Sequence, residues 1–284
     1  MAARPANNKL AKQNGRESME QACLVILAGG KGTRLGGRDK AWLEIGGRPL
    51  VERILSALGP LFAQRVVVRG AGSAVEVAGQ PLASVPQASL ARVQTTGRLP
   101  ENPEGPGRPV EENAGHRAGR LPNAGGPASE PGGEAGAGLA GEVEFTADLF
   151  PGYGPLAGIH AGLLKSRYLY NLVVACDMPF TDPRLAAYLL EQARGYDVAV
   201  PRIGGLLEPL FAVYSRNCLG PVQRSLEAGK RRTFDLYSQV RVRYVEEEEI
   251  NRVTSWVAVF FNVNTPEELE KARAMASPRQ EKGD

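Results

Sequence analysis

LVILAGGKGTRLGGRDK, Leu24 to Lys40, decides how this chain is read. An apolar run empties into five glycines interleaved with four cations and stops at an Asp-Lys pair. CLVILA, residues 23–28, has the length and unbroken apolarity of a strand buried on both faces. Glycines let backbone N–H groups come close to a ligand, and cations neutralise an anionic one. The combination points to a polyphosphate held at a strand end. A flexible turn that merely needs glycine leaves Lys31, Arg34, Arg38 and Lys40 unexplained, since Asp39 is their one acidic neighbour in the loop. The loop is not a Walker A loop, because no GK[ST] closes it. It is not the dinucleotide fingerprint either, because the register begun by Gly30 and Gly32 meets Leu35.

Outward from that loop, residues 49–62 place Leu50, Ile54, Leu58 and Leu61 at helical spacing, and RVVV (65–68) reads as a second strand. This is a βαβ unit with its glycine loop directly after the first strand. The pattern continues farther along. GPLAGIHAGLLKS (154–166) is a helix, and NLVVAC (171–176) a buried strand ending in Asp177-Met178-Pro179. Pro183 opens the next helix near its first position. DVAVP (197–201) and LLEPLFAVY (206–214) read as strands, 217–228 as a helix, and VAVFFNVN (257–264) as the last strand. Thr265 and Glu268 then form a capping-box pattern at the start of a closing helix. The expected architecture is α/β: a single doubly wound, mostly parallel, Rossmann-like sheet.

Between the two parts lies a different composition. Residues 95–141 hold 12 Gly, 7 Pro and only four Leu or Val, too little apolar surface to offset the entropy of ordering. We read about 80–142 as a disordered insertion inside one domain spanning 21–275, with disordered tails at 1–20 and 276–284. The βα pattern resumes after the insert as though interrupted.

The bulk properties narrow the function. The 284 residues are 43% hydrophobic, enough for a real core. A net charge of +3, scattered along the chain, does not suggest nucleic acid as a partner. Cys23, Cys176 and Cys218 are odd in number and form no CxxC, which argues against a disulfide framework or a zinc site and fits a reducing, cytoplasmic compartment. No apolar run reaches the ~18 residues of a membrane span, and the polar N-terminus lacks the apolar stretch of a secretory signal.

Two further motifs carry chemistry. In CDMP (176–179), Asp177 falls just past a buried strand, at the sheet edge where open α/β folds bind ligands. A carboxylate there suits Mg²⁺, which takes one or two protein oxygens beside substrate phosphates. Capping the next helix is the other use of such an Asp, although Asp182 or Thr181 is better placed for it. In FNVNTPEEL (261–269), Asn264 also follows a strand and offers a neutral oxygen; turn formation is its ordinary alternative. His116 lies in the low-complexity insert and His160 on the GPLAGIH helix, so neither suggests an acid–base catalyst. The run Glu246–Glu249 reads as a solvated acidic surface.

LAGGKGTRLGGRDK, YGPLAGI, CDMPF, EPLFAVY, GKRR and FNVNTPEEL, in that order, resemble the molybdenum cofactor guanylyltransferase family of MobA-like nucleotidyltransferases. The likeness covers about residues 23–75 and 145–273. It implies transfer of GMP from GTP to the terminal phosphate of molybdopterin, with release of pyrophosphate and Mg²⁺ as cofactor. It implies that the backbone of Leu27, Ala28, Gly29 and Gly30 meets the guanine and phosphates. Arg34 and Lys40 would bind the triphosphate, and Asp148 would contact the nucleotide. Asp177, helped by Asn264, would hold Mg²⁺; Arg34, Lys40 and Asp177 would carry catalysis. Arg231 and Arg232 are candidates for the pterin phosphate, a solvated cationic helix end being the alternative. Arg69 departs from the small polar residue expected after the second strand. GTP, molybdopterin and proteins that mature molybdoenzymes are the implied partners. A cytidylyltransferase, a sugar-1-phosphate nucleotidyltransferase and a non-catalytic nucleotide-binding regulator stand as alternatives; AGG rather than AAG in the loop leans toward guanine by resemblance alone.

Overall fold

A computed structural model describes residues 21–29, 40–70 and 142–277, with the backbone of 76–77 and 80–81. The expected tails and insert lie almost wholly outside the described residues.

The sheet is built around β1 (Ala22–Leu27), whose six residues are all buried. Its side chains alternate between two cores. Leu24 and Ile26 face one core with α1 (Leu50–Leu58) and, farther along the chain, α3 (Pro183–Gln192). Cys23, Val25 and Leu27 face the other with α2 (Pro155–Lys165) and α4 (Leu219–Glu227). Helices on both faces are why β1 reads as a continuous apolar run. The α1 residues Leu50, Val51, Ile54, Leu55 and Leu58 make its buried stripe. On α2 the contact is closer. A Cβ built on Gly162 would stand 2.4 Å from Val25 Cγ1, and one on Gly158 3.1 Å from Leu27 Cδ2. Two glycines on one helix face thus let the α2 backbone rest on β1.

Parallel partners flank β1: β2 (Gln64–Arg69) on one side and β4 (Tyr170–Ala175) on the other. β3 (Glu144–Ala147) extends the β2 side, also parallel. Beyond β4 come β7 (Phe211–Ser215) and β5 (Val198–Ile203). β7 is antiparallel to both of its neighbours. The short β6 (Leu206–Leu207) pairs antiparallel with β5, and β8 (Val242–Glu246) pairs parallel with it. The sheet is mostly parallel, as the sequence suggests, with β7 and β6 running against the rest.

Three expectations need correction. VAVFFNVN is not a strand. Trp256–Val259 is a short helix, and 260–265 is an irregular lead into α8 (Pro266–Ala276); the helices α5 (Phe234–Tyr237), α6 (Glu247–Asn251) and α7 (Trp256–Val259) precede it. Val257 is exposed, and Val263 is buried sideways: it packs with Leu43, Ile45, Leu50 and Leu269, against Phe180 and Phe261. LLEPLFAVY breaks at Glu208-Pro209-Leu210, because Pro209 has no N–H for a ladder. Glu246–Glu249 is more than a solvated run. Glu246 ends β8 and caps α6 in a capping box with Glu249, Arg243 Nη2 lies 2.6 Å from Glu249 Oε1, and Arg202 pairs with Glu246.

Candidate active site

The carboxyl ends of the parallel strands meet at one edge of the sheet. After β1 the chain stays tied to its neighbours: Ala28 N donates to Val68 O at 2.8 Å, and Cys176 N donates to Leu27 O at 3.1 Å. Gly29 then passes so close to the end of β2 that a Cβ there would stand 2.9 Å from Gly70 N. Only glycine fits that approach, so this part of the loop is sequence-specific for a steric reason.

Asp177 sits one residue past Cys176, and its carbonyl accepts from Val263 N at 2.9 Å. That bond draws the segment leading to α8 across the edge. Asn264 follows, and its position is fixed from behind. Its own N–H and that of Thr265 donate to Glu268 Oε2 at 2.7 and 3.0 Å, while Glu268 N donates to Thr265 Oγ1 at 3.2 Å. The capping box therefore anchors Asn264 and leaves its amide free of turn duty. Lys40, in the turn Lys40–Trp42, reaches into the gap: its Nζ donates to Asp177 Oδ2 at 3.3 Å and to Asn264 Oδ1 at 2.5 Å. Lys40 has no acceptor, so the Asn264 oxygen rather than the nitrogen must face it. The Lys40 and Asp177 side chains are 19% and 20% exposed, sheltered but open to a ligand.

Asp177 is not a helix cap. Asp182 takes that role, accepting from Arg184 N at 2.8 Å at the start of α3. Burial alone would raise the Asp182 carboxyl, but hydrogen bonds from Arg184 and Thr254 hold it below the usual carboxylate range.

On the other side of β1, Asp148 follows β3, and its N–H donates to Arg69 O at 3.2 Å. Its Oδ1 is buried with no hydrogen-bond partner among the described residues. Burial pushes this carboxyl up, only partly offset by the Phe150 backbone amide. Arg69 is buried, its guanidinium 5.8 Å above the Phe145 ring. His160 is buried on α2, edge-on to Phe150 at 5.4 Å, and desolvation pushes it down, so it stays neutral inside the core. Arg231 Cζ lies 5.0 Å over the Tyr153 ring, so GKRR borders the turn that follows Asp148.

Of the residues singled out in the sequence, the structure thus gathers Lys40, Asp177 and Asn264 at one point, with Leu27, Ala28, Gly29 and Asp148 along the same edge. Gly30, Arg34 and His116 lie outside the described residues. Among the described residues no three His, Cys, Asp or Glu gather as a metal cage. The sequence reading missed β3, the strand that carries Asp148 to the edge; its one signal was the alternation in EVEFTA.

The model of the MobA-like NTP transferase domain matches residues 24–97 and 129–242. The chain belongs to this family. The unmatched stretch, 98–128, falls inside the low-complexity segment, so the family domain runs on both sides of it. A probable molybdenum cofactor guanylyltransferase of Pelotomaculum thermopropionicum is 38% identical over 258 residues, 91% of this chain and 95% of that one. A molybdenum cofactor guanylyltransferase of Desulfosudis oleivorans is 28% identical, covering 90% of this chain and 96% of that one. Molybdopterin-guanine dinucleotide biosynthesis protein A of Archaeoglobus fulgidus superposes with a TM-score of 0.58 at 23% identity, over 89% of this chain and 97% of that one. At that identity the superposition speaks for the fold alone. Family membership makes the carboxyl edge just described the place to look for nucleotide chemistry, and among the described residues Lys40, Asp177 and Asn264 are the polar groups already joined there.

Proposed function

We propose that this chain transfers GMP from GTP to the terminal phosphate of molybdopterin and releases pyrophosphate. Its likeness to guanylyltransferases over nine-tenths of its length supports this, and the observation that carries the chemistry is the junction of Lys40, Asp177 and Asn264.

A phosphate oxygen of the acceptor attacks the α-phosphorus of GTP. The bond from that phosphorus to the bridging oxygen breaks, and its electron pair leaves with pyrophosphate. The nucleophile is already anionic, so no strong base is needed, and His160 is free to be a core residue. Positioning and charge neutralisation remain as the protein's work.

Mg²⁺ fits this site. One anionic and one neutral oxygen, from Asp177 and Asn264, converge on a single point, which the Lys40 ammonium occupies as a stand-in cation. A pair of protein oxygens is what Mg²⁺ takes when substrate phosphates and water complete its shell. Bound there, the ion would neutralise charge developing on the phosphates. Lys40 neutralises the same phosphate chain, and Arg34 holds the leaving pyrophosphate. The backbone of Leu27, Ala28 and Gly29 would lie along the nucleotide. The unpartnered Asp148 oxygen accepts from an N–H of the base.

Cys23, Cys176 and Cys218 are buried and form no disulfide, in keeping with work in the cytoplasm; among the described residues no helix is long and apolar enough to cross a membrane. Proteins that deliver the pterin or receive the product are the further partners of this reading. Pyrophosphate release with molybdopterin and each of the four NTPs tests it. Release with GTP is expected. Preference for CTP sinks the guanylyl assignment, and absence of release with all four NTPs sinks the transferase reading.

A further inference from the structure

We propose that Glu208 binds the acceptor substrate, its carboxylate accepting from the 2-amino and ring N–H groups of the pterin. The inference rests on the transferase reading above and assigns a residue to the half of the reaction that Lys40, Asp177, Asn264 and Asp148 leave unserved.

Topology puts Glu208 at the edge. Because β7 runs against β4, its first residue, Phe211, pairs with Val174 near the end of β4. The turn before β7 therefore lies where the parallel strands finish. Backbone bonds lock it there. Ala175 N donates to Leu210 O at 2.8 Å, two residues before Asp177. Glu208 N donates to Pro201 O at 3.0 Å, and Phe211 N donates to Glu208 O at 3.3 Å. Tyr214 Oη clamps the turn from behind, donating to Pro209 O at 2.9 Å. Such a break in a strand, fixed by four hydrogen bonds, presents Glu208 rigidly.

Its carboxylate has nothing to do within the fold. Among the described residues no hydrogen bond or ion pair reaches it, and desolvation alone pushes it up. Several other acids around this edge are satisfied, Asp148 excepted: Asp177 by Lys40, Asp182 by Arg184, Glu246 by Arg202, Glu247 by Trp256 and Gly204. A half-buried carboxylate without donors is costly, and a ligand that brings donors removes the cost.

The donors follow from the substrates. Guanine and a pterin share the 2-amino-4-oxo arrangement, in which an amino group and a ring N–H lie side by side. A carboxylate matches that pair with its two oxygens. The edge holds two carboxylates with acceptor capacity unused among the described residues, on opposite sides of Asp177 in the strand order β7-β4-β1-β2-β3: Asp148 after β3, with one oxygen unpartnered and the Phe150 amide also bonding its carboxyl, and Glu208 before β7. Two substrates that share the 2-amino group and its neighbouring ring N–H, meeting at Asp177 between them, fit this arrangement.

The test uses the full chain. GTP binding is measured by calorimetry without acceptor, and turnover is measured against molybdopterin concentration at saturating GTP. Glu208→Gln replaces one acceptor oxygen with a donor. We expect its KM for molybdopterin to rise tenfold or more, with kcat and the GTP Kd within twofold of the parent; Glu208→Asp recovers part of the loss. An unchanged KM, or a GTP Kd that rises in step, overturns the assignment. So does loss of the cooperative thermal transition in both variants, which would make Glu208 a structural residue. A parent protein that releases no pyrophosphate with molybdopterin defeats the transferase reading itself, and this inference with it.

Discussion

Lys40 and Asn264, 224 positions apart in the chain, meet at 2.5 Å. Two local devices make that contact: the turn after the glycine loop, and the capping box of α8 that pins the Asn264 backbone. Lys40 also reaches Asp177 at 3.3 Å, so three separate stretches of chain supply one cluster.

Replacing Lys40 by Met removes the cation while keeping the stem. Turnover with GTP and molybdopterin should fall by about 10²–10³, the scale of losing one group aimed at transition-state charge. The thermal midpoint should move little, since the ion pair is partly exposed and weak on that account. Lys40→Arg should restore little, because a planar fork does not replace a compact ammonium lying between two oxygens. Steady-state kinetics beside a melting curve separates the two effects.

Gly162 tests the packing of α2 on β1. Alanine improves helix propensity by about 1 kcal/mol, but its methyl would arrive 2.4 Å from Val25 Cγ1. Overpacking of that kind costs about 1–3 kcal/mol. Because Val25 is buried and β-branched, with no flexible end to swing away, we expect net destabilisation of Gly162→Ala. Adding Val25→Ala should recover part of the loss. Denaturant midpoints of the two single variants and the double variant decide the matter.

Acid sensitivity should trace in part to Asp182. Burial would raise its carboxyl, yet its bonds to Arg184 and Thr254 leave it below the ordinary range. A depressed folded-state value contributes stability that is full above the unfolded pKa, about 3.9, and is lost as pH falls through the folded value. Asp182→Asn keeps an N-cap side chain and removes only the charge. The variant should be less stable than the parent at pH 7, and the gap should close as pH drops below about 4. Melting curves from pH 7 to pH 2 would show a pH-independent gap if the charge were irrelevant.

The strands at the middle of the sheet were legible for one reason. β1 and β4 are covered on both faces, so apart from Asn171 near the start of β4 their residues are apolar and the run stands out. Edge elements gave weaker signals. β3 is four half-buried residues beside a Gly/Pro-rich segment, and β8 reads VRYVE, with charges between its apolar positions. VAVFFNVN misled because apolarity reports burial and not pairing: Val263 is buried by side packing. Lys40, Asp177 and Asn264 were found through motifs, Lys40 at the end of the glycine loop and the other two at the end of apolar runs. Glu208 was quoted within EPLFAVY but given no role, since its place at the edge depends on β7 running backwards, which no local pattern shows.

Asp177→Asn, assayed for GMP transfer across a Mg²⁺ titration and melted in parallel, tests the central claim most directly. Asparagine keeps the shape of the side chain and removes the negative charge that the proposed metal and Lys40 both use. Most turnover should be lost at every Mg²⁺ concentration, with a thermal midpoint close to the parent's. Near-parental turnover with the same Mg²⁺ dependence would contradict that claim.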